Sequence, residues 1–311
     1  MNKLFSSKQR VHTTHTHTHH LLSRAYIALH VMLVIIPLAV IITWSFSAAW
    51  SWPHLVPDTL SLKGFQELFR PEQHTGQALL LSVGIALATA ILTTIIAICA
   101  ARSFTCHRFA GQRLFEFAFT LPFLIPSTVF AMGTQVIFIR MGLAGSITGV
   151  VLAHSIVALP YTIIIMTESM AAVGTKLESA ARLCGANTLS AFRHATLPRL
   201  IPGIVSSCVM AYIVSFSQYF LTLLIGGGTV KTFTLAMFPY LTGGDRTIAS
   251  AYGLIFLLVT LGVFLLINLV LKLHIKRPTR RSTSFSTNTN ANTHIGTSTN
   301  TSTSTHPYGT D

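Results

Sequence analysis

Residues that could carry chemistry are present in this chain, but their spacing assembles no catalytic set. The sequence offers one base, His154, that can be paired with a nucleophile, which would be Ser215 or Ser217. Nucleophilic catalysis also needs a third group that orients the base, and no motif supplies one. A catalytic residue set is therefore not predicted, and an enzyme that works within a membrane stays an alternative that rests on this pairing alone.

The stretch Gly226–Thr232 comes nearest to a phosphate-binding loop. Such a loop has the pattern G-x-x-x-x-G-K-[ST], between a strand and a helix. Here Val230 stands where a glycine must precede Lys231, and no strand–helix context surrounds the stretch. We therefore expect no nucleotide hydrolysis in this chain and no cofactor bound to it.

A histidine tract near the start, VHTTHTHTHH, has the residue type that metal ions prefer. Its five histidines are His12, His15, His17, His19 and His20. Threonine-rich repeats are also present at the other end of the chain. The shared composition of the two tails favours low-complexity sequence over a metal site. The four cysteines are scattered without a CxxC pair, and no metal site is predicted from them.

The composition predicts that most of this chain lies in lipid. Apolar residues make up 51% and charged residues 9%, whereas a soluble domain carries about 25% charged residues. A helix needs about 20 apolar residues to cross a hydrocarbon core about 30 Å thick. Six runs qualify, near residues 25–47, 76–101, 114–139, 146–167, 200–225 and 248–272. We expect an all-α polytopic membrane protein, with six transmembrane helices over 25–275.

The two ends flank that domain and differ from it in composition. Residues 1–24 are rich in His and Thr, and residues 276–311 are rich in Ser, Thr and Asn. Segments with so few large apolar residues cannot bury enough surface to offset chain entropy. Both tails are therefore predicted to be disordered.

The basic residues show which side of the membrane each loop occupies. Sixteen of the 21 Lys and Arg residues lie before the first run, between the second and third, between the fourth and fifth, or after the sixth. Only five lie in the alternate loops: Lys63, Arg70, Arg140, Lys231 and Arg246. This positive-inside bias predicts that both termini are cytoplasmic; residence in the bacterial plasma membrane is what the family resemblance given below implies. Basic residues spread over separate loops do not form one face, which argues against nucleic-acid binding.

The loop over residues 169–199 combines good helix formers with helix-ending residues. Glu178 and Arg182 are four residues apart in the order that favours an ion pair on one helix. Gly185 follows the last helical residue, where a left-handed cap needs no Cβ. Asn187 can cap a second short helix that runs through Phe192 and His194, and Pro198 suits the opening of the fifth span. Two short helices meeting at a sharp turn on the cytoplasmic side are predicted.

This loop resembles the EAA signature of permease subunits of binding-protein-dependent ABC importers. The family pattern is Glu-Ala-Ala, three residues, Gly, nine residues, Ile, one residue, then Leu-Pro. Here Ser179-Ala180-Ala181, Gly185, Ala195 and Leu197-Pro198 fall at those spacings. Ser179 replaces the Glu, with Glu178 beside it, and Ala195 replaces the Ile. The wider resemblance covers about residues 25–275, with the signature in the loop between the fourth and fifth spans.

The resemblance implies a division of labour. The chain would pair with a second permease subunit, as a homodimer or heterodimer, and would receive a small solute from an extracytoplasmic binding protein. Separate cytoplasmic ATPase subunits would bind ATP and Mg²⁺ and would grip the short helices of the loop. The residues that the resemblance marks for ATPase coupling are Glu178, Ser179, Ala180, Ala181, Arg182, Gly185, Leu197 and Pro198.

Polar residues within the spans are candidates for the wall of a translocation path. They are Gln135, Tyr161, Tyr212, Ser215, Ser217, Gln218 and Tyr219. For each of them the alternative is a hydrogen bond between packed helices. One sequence pattern resembles that of permeases for polyamines, and less closely that of permeases for thiamine, phosphonates or ferric iron. It consists of Trp52-Pro53, Leu60-Ser61-Leu62 and Phe65 to Phe69. An ATP-independent channel or secondary carrier is the other open alternative, since it needs neither the 169–199 hairpin nor an ATPase.

Two local patterns within the spans predict shape. Pro122 and Pro126 in the third span predict a bend, because a proline frees backbone carbonyls of the preceding turn. Gly145 and Gly149 have the GxxxG spacing that lets two membrane helices approach closely.

Overall fold

The computed structural model describes the backbone of residues 5–50, 57, 59–106 and 110–274. The predicted C-terminal tail, 276–311, lies outside the described residues, and so do Trp52 and Pro53. The histidine tract lies in a part of the first helix whose side chains are not described.

Helices account for nearly all of the described chain, as the composition predicts. They are α1 (Phe5–Ser45), α2 (Lys63–Leu68), α3 (Thr75–Cys106), α4 (Gln112–Leu124), α5 (Ser127–Arg140), α6 (Ile147–Val173), α7 (Lys176–Leu183), α8 (Thr188–Ala191), α9 (Leu197–Phe216), α10 (Phe220–Gly226), α11 (Phe233–Thr242) and α12 (Arg246–His274). A 3₁₀ turn, Pro71–Gln73, precedes α3, and a π turn, Phe192–Thr196, precedes α9. Two short strands, β1 (Ser47–Ala49) and β2 (Thr59–Leu60), pair antiparallel beside the end of α1.

Five helical segments of the described chain are long and apolar enough to cross a membrane. They run over Ser23–Ser45, Pro71–Cys106, Ile147–Val173, Thr188–Phe216 and Arg246–Val270. A sixth crossing is present if the bent pair α4–α5 counts as one span. The polytopic helical class is therefore confirmed, with the predicted third span as the irregular one.

The third span is broken where a bend was predicted. The axes of α4 and α5 differ by 101°, and the break lies at Ile125 and Pro126, which have extended backbones with ψ of 133° and 131°. A proline disfavours the helical region for the residue before it, so Ile125 leaves the helix. Pro122, by contrast, stays within α4.

The fifth span also ends earlier than the predicted 200–225. The helix α9 stops at Phe216, and α10 begins only at Phe220. In this break the Gln218 carbonyl accepts hydrogen bonds from Thr222 Oγ1 (2.8 Å) and Thr234 Oγ1 (3.4 Å). Ser217 Oγ donates back to the Val214 carbonyl (3.0 Å). Side-chain hydroxyls that bond to the backbone compete with the helix in this way.

The first helix is longer than predicted. Residues 5–24, which the composition predicts to be disordered, continue the first span as part of α1. This segment contains neither proline nor glycine. Once a helix has nucleated in the apolar run, each added residue requires only propagation, so α1 extends through the polar residues.

Gly145 and Gly149 shape a turn instead of a contact between two spans. Gly145 has a left-handed backbone with φ of 73°, its N–H donates to the Ile225 carbonyl (2.7 Å), and its carbonyl accepts from Thr229 Oγ1 (2.7 Å). A Cβ at Gly149 would overlap the Leu143 carbonyl. Gly145 therefore joins the turn before α6 to α10 and the loop after it, whereas Gly149 lets the first turn of α6 lie close to the Leu143 carbonyl.

The centre of the molecule is the packing of α3, α6 and α9, which lie against one another over most of their length. Small residues fill this interface and are fully buried: Ala86, Ala90, Ala97, Ala101, Ala153, Ala158 and Ala211. Lipid is as apolar as the side chains of another helix, so the hydrophobic effect does not drive the helices together. Close approach of the backbones through small residues provides the attraction instead. Against this core, α12 packs on α1, α2, α9 and α11.

Replacing Gly203 by alanine is expected to destabilise the contact between α9 and α6, because a Cβ at this position would overlap the Ser169 side chain. Overpacking costs about 1–3 kcal/mol, more than the gain of up to about 1 kcal/mol in helix propensity. Thermal unfolding of the detergent-solubilised chain measures the effect. Gly84→Ala is the matched control, since a Cβ at Gly84 in α3 meets nothing within 4 Å. Equal unfolding temperatures for the two variants would contradict this packing.

Candidate functional site

The hairpin between α6 and α9 has the local geometry that the sequence predicts. After α7 ends, Gly185 adopts a left-handed backbone with φ of 91°. Asn187 caps α8, because its Oδ1 accepts a hydrogen bond from the Ser190 N–H at 2.7 Å. Pro198 lies in the first turn of α9, where its missing N–H costs little. Gly185, Asn187 and Pro198 thus lie at the ends of the short helices and at the start of α9.

The second short helix departs from the prediction of one helix extending past Phe192. It ends at Ala191, and the π turn then leads directly into α9. In a regular helix a proline ring clashes with the carbonyl four residues earlier, which here belongs to His194. The π turn is wider than a regular α-helical turn, and it lies directly before Pro198, where a regular helix would produce this clash.

The tip of the hairpin presents apolar side chains to solvent. Leu183 is 90% exposed and Leu189 is 75% exposed. These two leucines flank the Gly185 turn and were not among the residues that the sequence marks for coupling. The sequence feature that indicates these two leucines is an apolar residue on each side of a turn with glycine and asparagine, in an otherwise polar loop.

The eight residues marked for coupling divide by exposure. Ser179, Ala180, Arg182, Gly185 and Pro198 are exposed, Ala181 and Leu197 are half-buried, and Glu178 is buried. The outward face of the hairpin thus contains most of the EAA-like positions, whereas Glu178 faces the transmembrane core.

Glu178 pairs with Arg102 of α3 rather than with Arg182. The Arg102 guanidinium donates to the carboxylate through Nη2 to Oε1 (2.7 Å) and Nη1 to Oε2 (3.3 Å). The predicted ion pair within α7 is therefore wrong. The physical reason is that Glu178 is on the inner side of α7, where it meets a guanidinium fork from another helix, and Arg182 is on the exposed side.

A cavity of about 250 Å³ lies behind the hairpin, between the C-terminal ends of α3 and α6 and the start of α7. Its lining consists of Thr105, Cys106, Met170, Ala171, Gly174, Thr175, Glu178 and Thr196. Unfilled volume on this side means that α7 rests on few apolar contacts with α6.

A polar node at the break between α9 and α10 involves His154 of α6. Its Nδ1 lies 2.9 Å from Ser215 Oγ, and its Nε2 lies 3.0 Å from Thr222 Oγ1. The pairing of serine with histidine that the sequence allows is thus formed. However, His154 and Ser215 are 1% and 2% exposed, and the second ring nitrogen meets a hydroxyl rather than an acid. The node links α6 to both sides of the break, and it lacks the orienting group of a catalytic set.

The residues proposed for a path are not brought together along one open surface. Tyr212 and Ser215 are buried in the packed interior, and Tyr212 stacks on Phe216 at 5.4 Å between ring centroids. Ser217 is exposed at the break, and Tyr219 stacks on Phe238 at 3.8 Å. The helix ends at Phe216, between the buried residues of this set and those at the break, and one wall along Tyr212–Tyr219 stays a prediction.

The other two candidates lie on separate helices. Gln135 of α5 donates through Nε2 to the Leu224 carbonyl of α10 at 3.1 Å, so it ties the two short helices together. Tyr161 of α6 is half-buried. The residues of this set that remain exposed or half-buried at the break are Ser217, Gln218 and Tyr219.

Comparison with known proteins adds a family to this geometry. Residues 93–278 match the family described as binding-protein-dependent transport system inner membrane component. This match covers more than half of the chain, and it includes α4 to α12 and the hairpin.

Individual relatives agree with the family match. A probable ABC transporter permease of Pyrococcus horikoshii is 26% identical over 73% of this chain and 91% of its own length. A putative 2-aminoethylphosphonate transport system permease, PhnV, of Salmonella paratyphi A is 26% identical over 75% of this chain and 87% of its own. The molybdenum transport system permease ModB of Mycobacterium bovis is 30% identical over 60% of this chain and 77% of its own.

A solved structure shares the fold. A bacterial ABC transporter involved in the import of the acidic polysaccharide alginate superposes with a TM-score of 0.61, covering 80% of this chain and 94% of that chain. The sequences are 14% identical, so the likeness concerns the fold alone.

The His154 node is expected to contribute to stability rather than to catalysis. Replacing His154 by phenylalanine leaves the Ser215 hydroxyl without its partner, and an unsatisfied buried group costs about 1–3 kcal/mol. Ser215→Ala alone is expected to cost about 0.6 kcal/mol, the average for a hydrogen bond between membrane helices. A double-mutant cycle of unfolding in detergent measures the coupling, with Ser217→Ala as the exposed control. A coupling energy of zero would contradict the node.

Proposed function

This chain belongs to the family of binding-protein-dependent transport system inner membrane components and is the permease subunit of an ABC importer, and from that premise we propose that its α7–α8 hairpin docks a separate ATPase. As a membrane subunit of a transporter it is not an enzyme, and ATP and Mg²⁺ would be bound by the partner. The hairpin would receive the force of the ATPase and pass it to the spanning helices.

The observation that carries this proposal is the exposure of Leu183 and Leu189 at the hairpin tip. Leu183 lies outside the candidate spans, and Leu189 lies at the hairpin end of the Thr188–Phe216 segment, among polar residues. Exposed apolar side chains surrounded by polar residues are typical of protein interaction sites. Ser179 and Ala180 beside them are small and exposed, which leaves room for a partner surface to approach the backbone of α7.

The side of the membrane follows from charge. Lys176, Arg182, Arg193 and Arg199 lie in or next to the hairpin, and positive loops remain in the cytoplasm. We therefore propose that the hairpin and both termini are cytoplasmic. The segments that contain Lys63, Arg70 and Lys231 would then face a binding protein on the outer side. The family supports ATPase and binding-protein partners, and the second permease would be either a second copy or a related chain.

The residues of the fifth span that are candidates for the translocation path fall into two groups with different proposed roles. The break at Ser217–Tyr219 offers exposed polar groups next to α10, and it is the proposed site where solute contacts this chain. Tyr212 and Ser215, in contrast, would act by holding α9 in place.

The solute is proposed to be small and polar, with an organophosphonate the first to test. The sequence likeness to polyamine, thiamine and phosphonate permeases left this group open, and the similarity to PhnV of Salmonella supports the phosphonate. An ATP-independent carrier is not favoured, because the family match includes the hairpin that such a carrier does not need.

Replacing both leucines by serine, as Leu183→Ser with Leu189→Ser, is expected to weaken ATPase binding by at least about 10-fold. Burying a leucine contributes about 1.5–3 kcal/mol, and about 1.4 kcal/mol corresponds to a factor of ten. Co-purification of the co-expressed ATPase with the full-length chain measures the loss. Leu60→Ser is the matched control, because Leu60 is 77% exposed in β2, away from the hairpin. Unchanged ATPase recovery with the double variant would refute the proposed docking.

Uptake of radiolabelled 2-aminoethylphosphonate by cells that carry the complete transporter is the test of substrate class. We expect ATP-dependent accumulation that unlabelled 2-aminoethylphosphonate competes away and that spermidine and thiamine do not. Competition by spermidine or thiamine instead would assign the chain to the other members of the predicted group.

A further inference from the structure

We infer that Arg102 is the positioning residue through which movement of α7 reaches the transmembrane core. The inference rests on the proposed docking of an ATPase at the hairpin, and it concerns what happens after docking. Arg102 belongs to α3 and lies outside the EAA-like loop, so nothing in that signature marks it.

The attachment of α7 to the rest of the chain depends on charge. Within α7, Glu178 is the only buried residue. A helix that docks through an apolar stripe would bury several residues on one face, and α7 does not. On the side toward α6 and α3 it faces the cavity of about 250 Å³ instead. The carboxylate of Glu178 is therefore its main point of contact with the core.

Arg102 holds that carboxylate with a two-pronged contact. Its two terminal nitrogens lie 2.7 and 3.3 Å from the two carboxylate oxygens, and the side chains are 24% and 10% exposed. A bidentate guanidinium–carboxylate pair fixes orientation as well as distance. Rotation or translation of α7 is therefore transmitted to the Arg102 side chain.

The same guanidinium also contacts the π turn that leads into α9. Its carbon atom Cζ lies 4.4 Å from the centre of the Phe192 ring, within the range of a cation–π interaction. Thr196, at the end of the same turn, donates its hydroxyl to Glu178 Oε2 at 3.3 Å. One cluster of four side chains therefore joins α3, α7 and the start of α9. π-Helical turns are frequent at functional sites.

Beyond the cluster, α3 is rigidly packed. Ala97 and Ala101, within two turns of Arg102, are fully buried against Met166 of α6 and Leu200 of α9. The covalent link of α7 to α6, in contrast, passes through Gly174, whose left-handed backbone (φ 67°) has nothing within 4 Å of a Cβ position. The chain can pivot at Gly174, so the side-chain cluster provides the stiffer connection.

The chemistry of the contact predicts an order among variants. Arg102→Gln removes the charge, the fork and the stacking. Arg102→Lys keeps the charge but offers a single point of contact and stacks less well. Exchange of the two partners, Arg102→Glu with Glu178→Arg, rebuilds the pair in reverse. Arg102→Gln and Arg102→Lys leave Leu183, Leu189 and Glu178 untouched, so ATPase binding is expected to persist in these two variants.

The test reads the response of the solute path to ATP. The full-length chain, with its four cysteines replaced by alanine and with Ser217→Cys at the α9–α10 break, is purified with its co-expressed ATPase. The rate of labelling of the new cysteine by a maleimide is measured with and without ATP and vanadate, alongside ATP hydrolysis and ATPase recovery. In this parent we expect the labelling rate to change at least about threefold when nucleotide is bound.

The inference predicts that Arg102→Gln hydrolyses ATP and retains its ATPase, while the change in labelling falls below about 1.3-fold. The change in labelling of Arg102→Lys should lie between those of the parent and Arg102→Gln. The exchanged pair should recover more of the labelling response than Arg102→Glu or Glu178→Arg alone. A merely structural role would lower ATPase recovery and hydrolysis together and would leave the labelling ratio of the assembled complex unchanged.

Two results would overturn the inference. One is a parent-like labelling response in the assembled Arg102→Gln complex, or in the assembled Arg102→Lys complex if the glutamine variant does not fold. The other is a labelling rate of the introduced cysteine that does not respond to nucleotide in a parent complex that hydrolyses ATP. If the parent chain recovers no ATPase at all, the proposed docking function itself is refuted, which is a different outcome from the first two.

Discussion

Close approach between helices is the constraint on which this structure depends. In lipid, apolar side chains gain nothing by leaving the surroundings for another helix, so attraction comes from backbone proximity and from polar contacts. The alanines of α3, α6 and α9 and Gly203 make that proximity possible. All other helices are arranged around these three, which is why peripheral elements such as α1 remain exposed along their apolar surface.

The irregular parts of the chain follow from the same environment. A backbone group that leaves a helix at membrane depth must find a partner in the protein, since no water replaces it. At the α9–α10 break, the Gln218 carbonyl is satisfied by threonine hydroxyls, and His154 bridges Ser215 and Thr222 across the gap. Polar side chains inside the spans therefore hold the break together, which explains why Ser215 is buried.

The first helix of the hairpin obeys a different rule, because α7 lies outside the candidate spans. Its exposed tip is apolar and its inner contact is ionic, which reverses the usual arrangement of a surface helix. A single buried carboxylate anchors α7, and a cavity replaces the apolar packing that would make it rigid. An element held in this way can move as a unit while it stays connected to α3 through Arg102. This is the physical property expected of a part that receives force from outside.

Much of the architecture was determined by the sequence alone. Length and apolarity of each run decide which segments can cross a bilayer, and the helix caps at Gly185 and Asn187 depend on local backbone preferences. Those predictions hold because each involves residues within a few positions of one another. The EAA-like spacing is equally local, and the family match agrees with it.

Only the tertiary structure decided which partner each polar group takes. Glu178 has Arg182 one turn away, yet it pairs with Arg102, 76 residues distant, because folding places a guanidinium fork on its inner side. The break at Phe216 likewise depends on a distant partner, since the Gln218 carbonyl accepts a hydrogen bond from Thr234 of α11. Sequence periodicity reports what a segment can bury, whereas the contact that satisfies a buried charge depends on which distant residue the packing brings within reach.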